Sequence, residues 1–176
     1  MAQYVCSKLS STNTLVLGAI QILLGIFHVF MWYFQVFLYM GQIRGVFGIY
    51  ESITLKAGCT LWGIFFIMSG AVLIKLAKHP TPQLIIIALT LNITCIIAVI
   101  VAVILTLVEL SSFHSVSYRN FGQAQLGRFV SAVLLVSYSL QFAIALIYSI
   151  FGSIGLVSVY LFSGISRNVD FNKPIL

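Results

Sequence analysis

The sequence predicts an all-α polytopic membrane protein, a bundle of four transmembrane helices. Three observations carry that reading. Charged residues make up 7% of the chain and hydrophobic ones 61%, whereas soluble domains average about 25% charged. The mean hydropathy is +1.12. The charges also stand apart, leaving four uncharged stretches between Lys8 and Arg44, Lys56 and Lys75, Lys78 and Glu109, and Arg128 and Arg167. A bilayer core of roughly 30 Å takes about 20 helical residues, so each stretch holds one span.

The first helix is expected over residues 13–38. Its apolar run is too long for a cleaved signal peptide and only Lys8 precedes it among basic residues, so it reads as a retained signal anchor. The second, over 57–76, is the shortest, and its flanking lysines can snorkel to the headgroups. In the turn KHPTPQ, Pro80 and Pro82 keep it from running into the third helix, over 83–108. The fourth is expected over 130–160, and the whole chain, 1–176, reads as one domain. Basic residues divide almost evenly between the two sides, Lys8, Lys75, Lys78, Arg167 and Lys173 against Arg44, Lys56, Arg119 and Arg128, so charge leaves the orientation open. The net charge of +6 forms no basic stripe, which argues against nucleic acid as a partner.

Helices in lipid associate through small residues and shared hydrogen bonds, because lipid tails are as apolar as leucine. On the first helix, steps of three and four from Thr14 collect Gly18, Gln21, Gly25, His28, Trp32 and Gln35 on one face. On the second, Gly63 and Gly70 repeat the seven-residue spacing of Gly18 and Gly25, nearly two helical turns. The third carries Thr90, Thr94, Ala98, Ala102 and Thr106, and the fourth Ser137, Gln141, Ala145, Ser149 and Ser153, each at steps of four. A strict four-step winds across a helix surface rather than running straight. These stripes are candidate packing surfaces, and the partner of Gln21 and His28 lies either in the same bundle or in a neighbouring subunit.

Catalytic chemistry has little to work with. His28, His79 and His114 fall in a span, a turn and a loop, without metal-ligand spacing. Glu51, Glu109 and Asp170 are expected in connections or the tail, which leaves every span without an acid for a dyad or a proton relay. No phosphate-cradling glycine loop is visible, and neither a cofactor nor a metal is expected. Cys59 and Cys95 read as small hydrophobes within spans, whereas juxtamembrane Cys6 is a candidate for lipidation. The sequon at Asn92 is buried in the third span, where a glycan cannot be carried.

The segments LGAIQILLGIFHV, LWGIFFIMSGAVLI and LLVSYSLQFAIALIYSIFGS resemble, in order, those of the membrane-spanning 4-domains subfamily A. LGAIQ…G and WG…SG are the specific parts; the third helix resembles the family mainly in hydropathy. The resemblance implies cytosolic N and C termini, two extracellular loops, and a four-helix unit that assembles into dimers or larger complexes. It further implies signalling or trafficking within receptor complexes at the plasma membrane, without enzymatic activity. This sequence departs from the family in having no cysteine between Glu109 and Arg128, so the loop disulfide of many relatives cannot form. Gln141 stands where relatives often carry Glu, and Ser153 where they often carry Cys.

The expected partners are therefore the lipid bilayer, further copies of the chain and other membrane receptor proteins, with Gly18, Gln21, Gly25, His28, Trp32, Gly63, Gly70 and Gln141 as the packing and assembly residues. Two alternatives stay open: a subunit of an ion-conducting or transport assembly, and a ligand-sensing receptor that uses the outer loops.

Overall fold

A computed structural model describes residues 2–42, 52–111 and 121–171, with side chains described for 11–42, 52–111 and 121–157. It contains α1 (Ala2–Met40), the single turn α2 (Ile53–Lys56), a 3-10 turn (Cys59–Trp62), α3 (Gly63–Lys78), α4 (Pro82–Ser111) and α5 (Phe121–Phe171). No strand occurs among the described residues. Four stretches are long and apolar enough to cross a bilayer: Ser11–Met40, Cys59–Lys78, Pro82–Ser111 and Phe121–Val157. The protein is a multi-pass integral membrane protein.

The spans differ from the expected ones at their ends. α4 has 30 residues and is about 45 Å long, so it carries Glu109 inside its last turn. Helix α5 has 51 residues and begins at Phe121, well before the expected start. Its early turns are held by protein contacts, since Ala124, Gly127 and Val130 are buried. The entry to the second span is irregular. The Ser52 hydroxyl caps α2 by accepting from the Leu55 N–H at 3.2 Å. Gly58, at φ +65°, then reverses the chain into the 3-10 turn, a left-handed conformation that glycine adopts without a Cβ clash.

The helices form a ring in the order α1, α3, α4, α5, each packed on its two neighbours. Two apolar clusters fill the interior. One, toward the connection between α4 and α5, includes Cys59, Phe66, Cys95, Val99, Leu134 and Tyr138. The other, toward the chain termini, joins Leu73, Leu76, Ala88 and Tyr148. The buried face of α4 is Ala88, Asn92, Cys95, Val99, Ala102, Thr106 and Glu109, at alternating steps of four and three. That alternation averages about 3.5 residues, close to the 3.6 of a helical turn, so the face runs nearly straight along the helix.

The strict four-step stripes behave otherwise. Thr90 and Thr94 are exposed and donate to the carbonyls of Ile86 and Thr90, at 2.9 and 3.0 Å, and only Ala102 and Thr106 at the far end are buried. On α5, Ser137, Gln141 and Ala145 are buried, Ser149 is half-buried and Ser153 is exposed. Both stripes drift around the helix and leave the interior.

Candidate functional site

α1 and α3 approach each other closely at facing glycines. Gly18 faces Gly70, and Gly25 faces Gly63, in antiparallel register. A Cβ placed on Gly18 would stand 2.8 Å from the Gly70 carbonyl oxygen, and one on Gly25 would stand 2.6 Å from that of Gly63. The reverse placements are equally tight, 2.6 Å from Gly70 to the Gly18 oxygen and 2.7 Å from Gly63 to the Gly25 oxygen. Any larger residue would push the two backbones apart, which is how small residues let helices pack in lipid. The matching seven-residue spacings thus meet each other within one chain.

That approach sets polar side chains toward the bundle axis. The Gln21 amide donates to Asn92 Oδ1 at 2.9 Å, a bond that crosses the ring diagonally from α1 to α4. Its carbonyl oxygen accepts from the Ser69 hydroxyl on α3 at 3.4 Å. Asn92 in turn donates to the Ala88 carbonyl at 2.8 Å. Gln21, Ser69 and Asn92 are all fully buried, so the sequon side chain is engaged inside the protein. Shared bonds of this kind are worth about 0.6–2 kcal/mol each in membranes.

Two turns along α1, His28 Nδ1 donates to the Leu24 carbonyl at 2.7 Å. A carbonyl only accepts, so Nδ1 carries the proton, and Nε2 of the neutral ring accepts from Ser137 Oγ on α5 at 3.1 Å. That hydroxyl has one proton, shared with the Leu134 carbonyl at 2.9 Å. Aromatic rings enclose the imidazole: Phe66 meets it edge-on at 5.4 Å and Tyr138 lies tilted against it at 4.7 Å. Farther along α1, Gln35 Oε1 accepts from the Thr60 hydroxyl at 3.2 Å.

The polar seam ends at a carboxylate. Glu109 is 6% exposed in the last turn of α4. Its oxygens accept from the Ser131 hydroxyl of α5 at 2.9 Å, the Thr54 N–H at 2.9 Å, the Thr54 hydroxyl at 2.8 Å and the Ser52 hydroxyl at 3.0 Å. One side chain therefore ties α4 to α5 and to the segment that enters the second span. This corrects the expectation that every span lacks an acid. Hydroxyl and N–H donors of the protein receive the Glu109 oxygens there, as a buried acid requires. The signal was present in the spacing: the steps from Ala88 through Thr106 continue without interruption to Glu109.

Gln141 occupies the buried face of α5 one turn beyond Ser137, and neither of its polar side-chain atoms has a hydrogen-bond partner among the described residues. The Tyr138 and Tyr148 hydroxyls share that condition. An amide left unpaired in apolar surroundings costs roughly 2–7 kcal/mol. Trp32 is half-buried and meets Tyr33 edge-on at 5.0 Å. The side chains of Cys6 and Asp170, and the residues Glu51 and His114, lie outside the described residues. Cys59 and Cys95 are buried free thiols. Among the described residues, no three His, Cys, Asp or Glu side chains gather as a metal site would require.

The family model described as the CD20-like family matches residues 16–127, a segment that runs from the first turns of the glycine face through Glu109. The chain belongs to the CD20-like family. Among relatives of this CD20-like chain, the Mus musculus protein Membrane-spanning 4-domains subfamily A member 13 is 62% identical over 143 residues, 81% of this chain and 70% of the relative. Its Homo sapiens counterpart is 61% identical over 113 residues, 64% of this chain and 74% of the relative. The Homo sapiens member 8 is 32% identical over 142 residues, covering 77% and 54% respectively. The CD20-like match takes in Gln21, His28, Asn92 and Glu109 but stops before Ser137 and Gln141.

Proposed function

We propose that this CD20-like protein is a non-enzymatic component of a multimeric receptor or signalling complex. It acts as one four-helix unit at the plasma membrane, with both termini cytosolic. The observation that carries the reading is that the Gly18–Gly70 and Gly25–Gly63 contacts and the bonds Gln21 and His28 make are all formed inside one chain. The bundle is then self-contained, and its partners, further copies or other membrane receptor proteins, meet the outer faces. Exposed apolar side chains such as Phe30, Phe37, Ile97 and Phe129 supply those faces. Cross-linking in native membranes followed by identification of the captured membrane proteins tests this reading. Recovery of the same receptor subunits from intact cells supports it, and recovery of the uncross-linked monomer alone overturns it.

A second reading, an ion-conducting or transport assembly, is favoured by one observation: Glu109, His28, Gln21 and Asn92 are all buried between the helices. Intramembrane ionisable groups commonly mark ion and proton paths. Flux through liposomes containing the purified chain, abolished by Glu109→Gln and His28→Ala, would establish it. Liposomes that stay tight with the wild-type chain would exclude it.

A further inference from the structure

We propose that Gln141 binds internal water at the middle of the bundle, where it bridges the His28–Ser137 contact to the Gln21–Ser69–Asn92 contact. The relative heights follow from the antiparallel run of α1 and α5. Ser137 is level with His28, which it reaches at 3.1 Å. Gln141 lies four residues further along α5, about 6 Å toward the chain termini, and Gln21 lies seven residues back along α1, about 10.5 Å in the same direction. Gln141 therefore sits between the two bonded pairs, 0% exposed, with its amide and carbonyl both unpartnered among the described residues.

The chemistry of the surroundings selects the ligand. Gln141 offers two N–H donors and a carbonyl oxygen with two lone pairs. The Gln21 amide donates one of its hydrogens to Asn92 and its oxygen accepts one bond from Ser69, so each retains capacity. Ser137 Oγ keeps a lone pair after its proton is placed. A buried water needs two to four polar partners, and these groups supply that number. Polar groups too far apart for a direct bond are commonly joined in this way. A cation fits less well. The Glu109 carboxylate is level with Ser131, which bonds it at 2.9 Å, and ten residues of helix separate that level from Gln141, about 15 Å.

Radiolytic hydroxyl footprinting in heavy-oxygen water, on the full chain in lipid nanodiscs, reads bound water at buried side chains. His28 and Tyr138 are both 0% exposed and lie beside this node, whereas Leu73, equally buried, lies in the apolar cluster nearer the termini. The expected result is heavy-oxygen label at His28 and Tyr138 and none at Leu73. Gln141→Leu abolishes the label at both sites, while Gln141→Glu, which keeps polar atoms at the position, retains it. Should Gln141→Leu fail to fold, Gln141→Met serves with the same expected loss, because it preserves the unbranched length. Unlabelled His28 and Tyr138 in the wild-type chain, or unchanged label in the apolar variant, overturns the assignment.

Discussion

At Gly25 a single added Cβ would stand 2.6 Å from both the Gly63 carbonyl oxygen and Ile67 Cγ1, so the neighbouring backbone has to move. Gly25→Ala is expected to destabilise the protein by about 1–3 kcal/mol, the range for overpacking a filled contact. At Gly155 nothing lies within 4 Å of the same added atom, and there the better helix propensity of alanine predicts a gain of up to about 1 kcal/mol. Thermal unfolding of both variants in one detergent checks the contrast, and equal shifts would refute the close α1–α3 approach. The His28–Ser137 bond has a similar test. A double-mutant cycle between His28→Ala and Ser137→Ala should give a coupling of about 0.6–2 kcal/mol; additive effects would mean that the 3.1 Å contact contributes no stability.

For the elements, the informative residue is Glu109, because three residues from two separate pieces of chain, the entry to the second span and α5, donate to it. Glu109→Ala leaves the Ser52 and Ser131 hydroxyls and the Thr54 N–H without this acceptor, at about 1–3 kcal/mol for each group left unsatisfied. The loss should be local. Hydrogen exchange at α2 and the following turn is expected to quicken while the α1–α3 contact stays protected. Uniform loosening of all four spans would show that Glu109 does not act as a clip. Thr90 offers the opposite case, since it is exposed and its hydroxyl is satisfied by the carbonyl four residues back on its own helix. Thr90→Val should change stability by less than about 0.5 kcal/mol, as expected of a surface position.

For the whole molecule, the register of the glycine contacts bears on assembly. Both partners of Gly18 and Gly25 belong to the same chain, so Gly18→Leu/Gly25→Leu is expected to lower the melting temperature of the protein even as a monomer in detergent. An unchanged melting temperature with a smaller assembly on native gels would instead move that face between chains. Topology is tested separately. Four spans bring the chain back to its starting side, and with cytosolic termini Thr81→Cys should react with a membrane-impermeant thiol reagent only after permeabilisation, whereas Lys56→Cys should react in intact cells. The opposite pattern would invert the proposed orientation.

Hydropathy and the spacing of charges determined that this chain crosses the membrane four times, because a bilayer core rejects charges wherever they stand and leaves uncharged runs of readable length. The CD20-like motifs were legible for the same reason that the glycines are needed, since both lie where backbones approach. Periodicity identified which side of α1 carries Gly18, Gln21, Gly25 and His28, but it specifies a face and not the neighbour that covers it. Only the tertiary structure paired Gln21 with Asn92 across the ring and His28 with Ser137. It also drew Glu109 into a span and set the outer ends of α4 and α5. The physical reason is that a charged side chain normally ends a span, and donors gathered from distant parts of the chain, among them Ser52, Thr54 and Ser131, hold that carboxylate between helices.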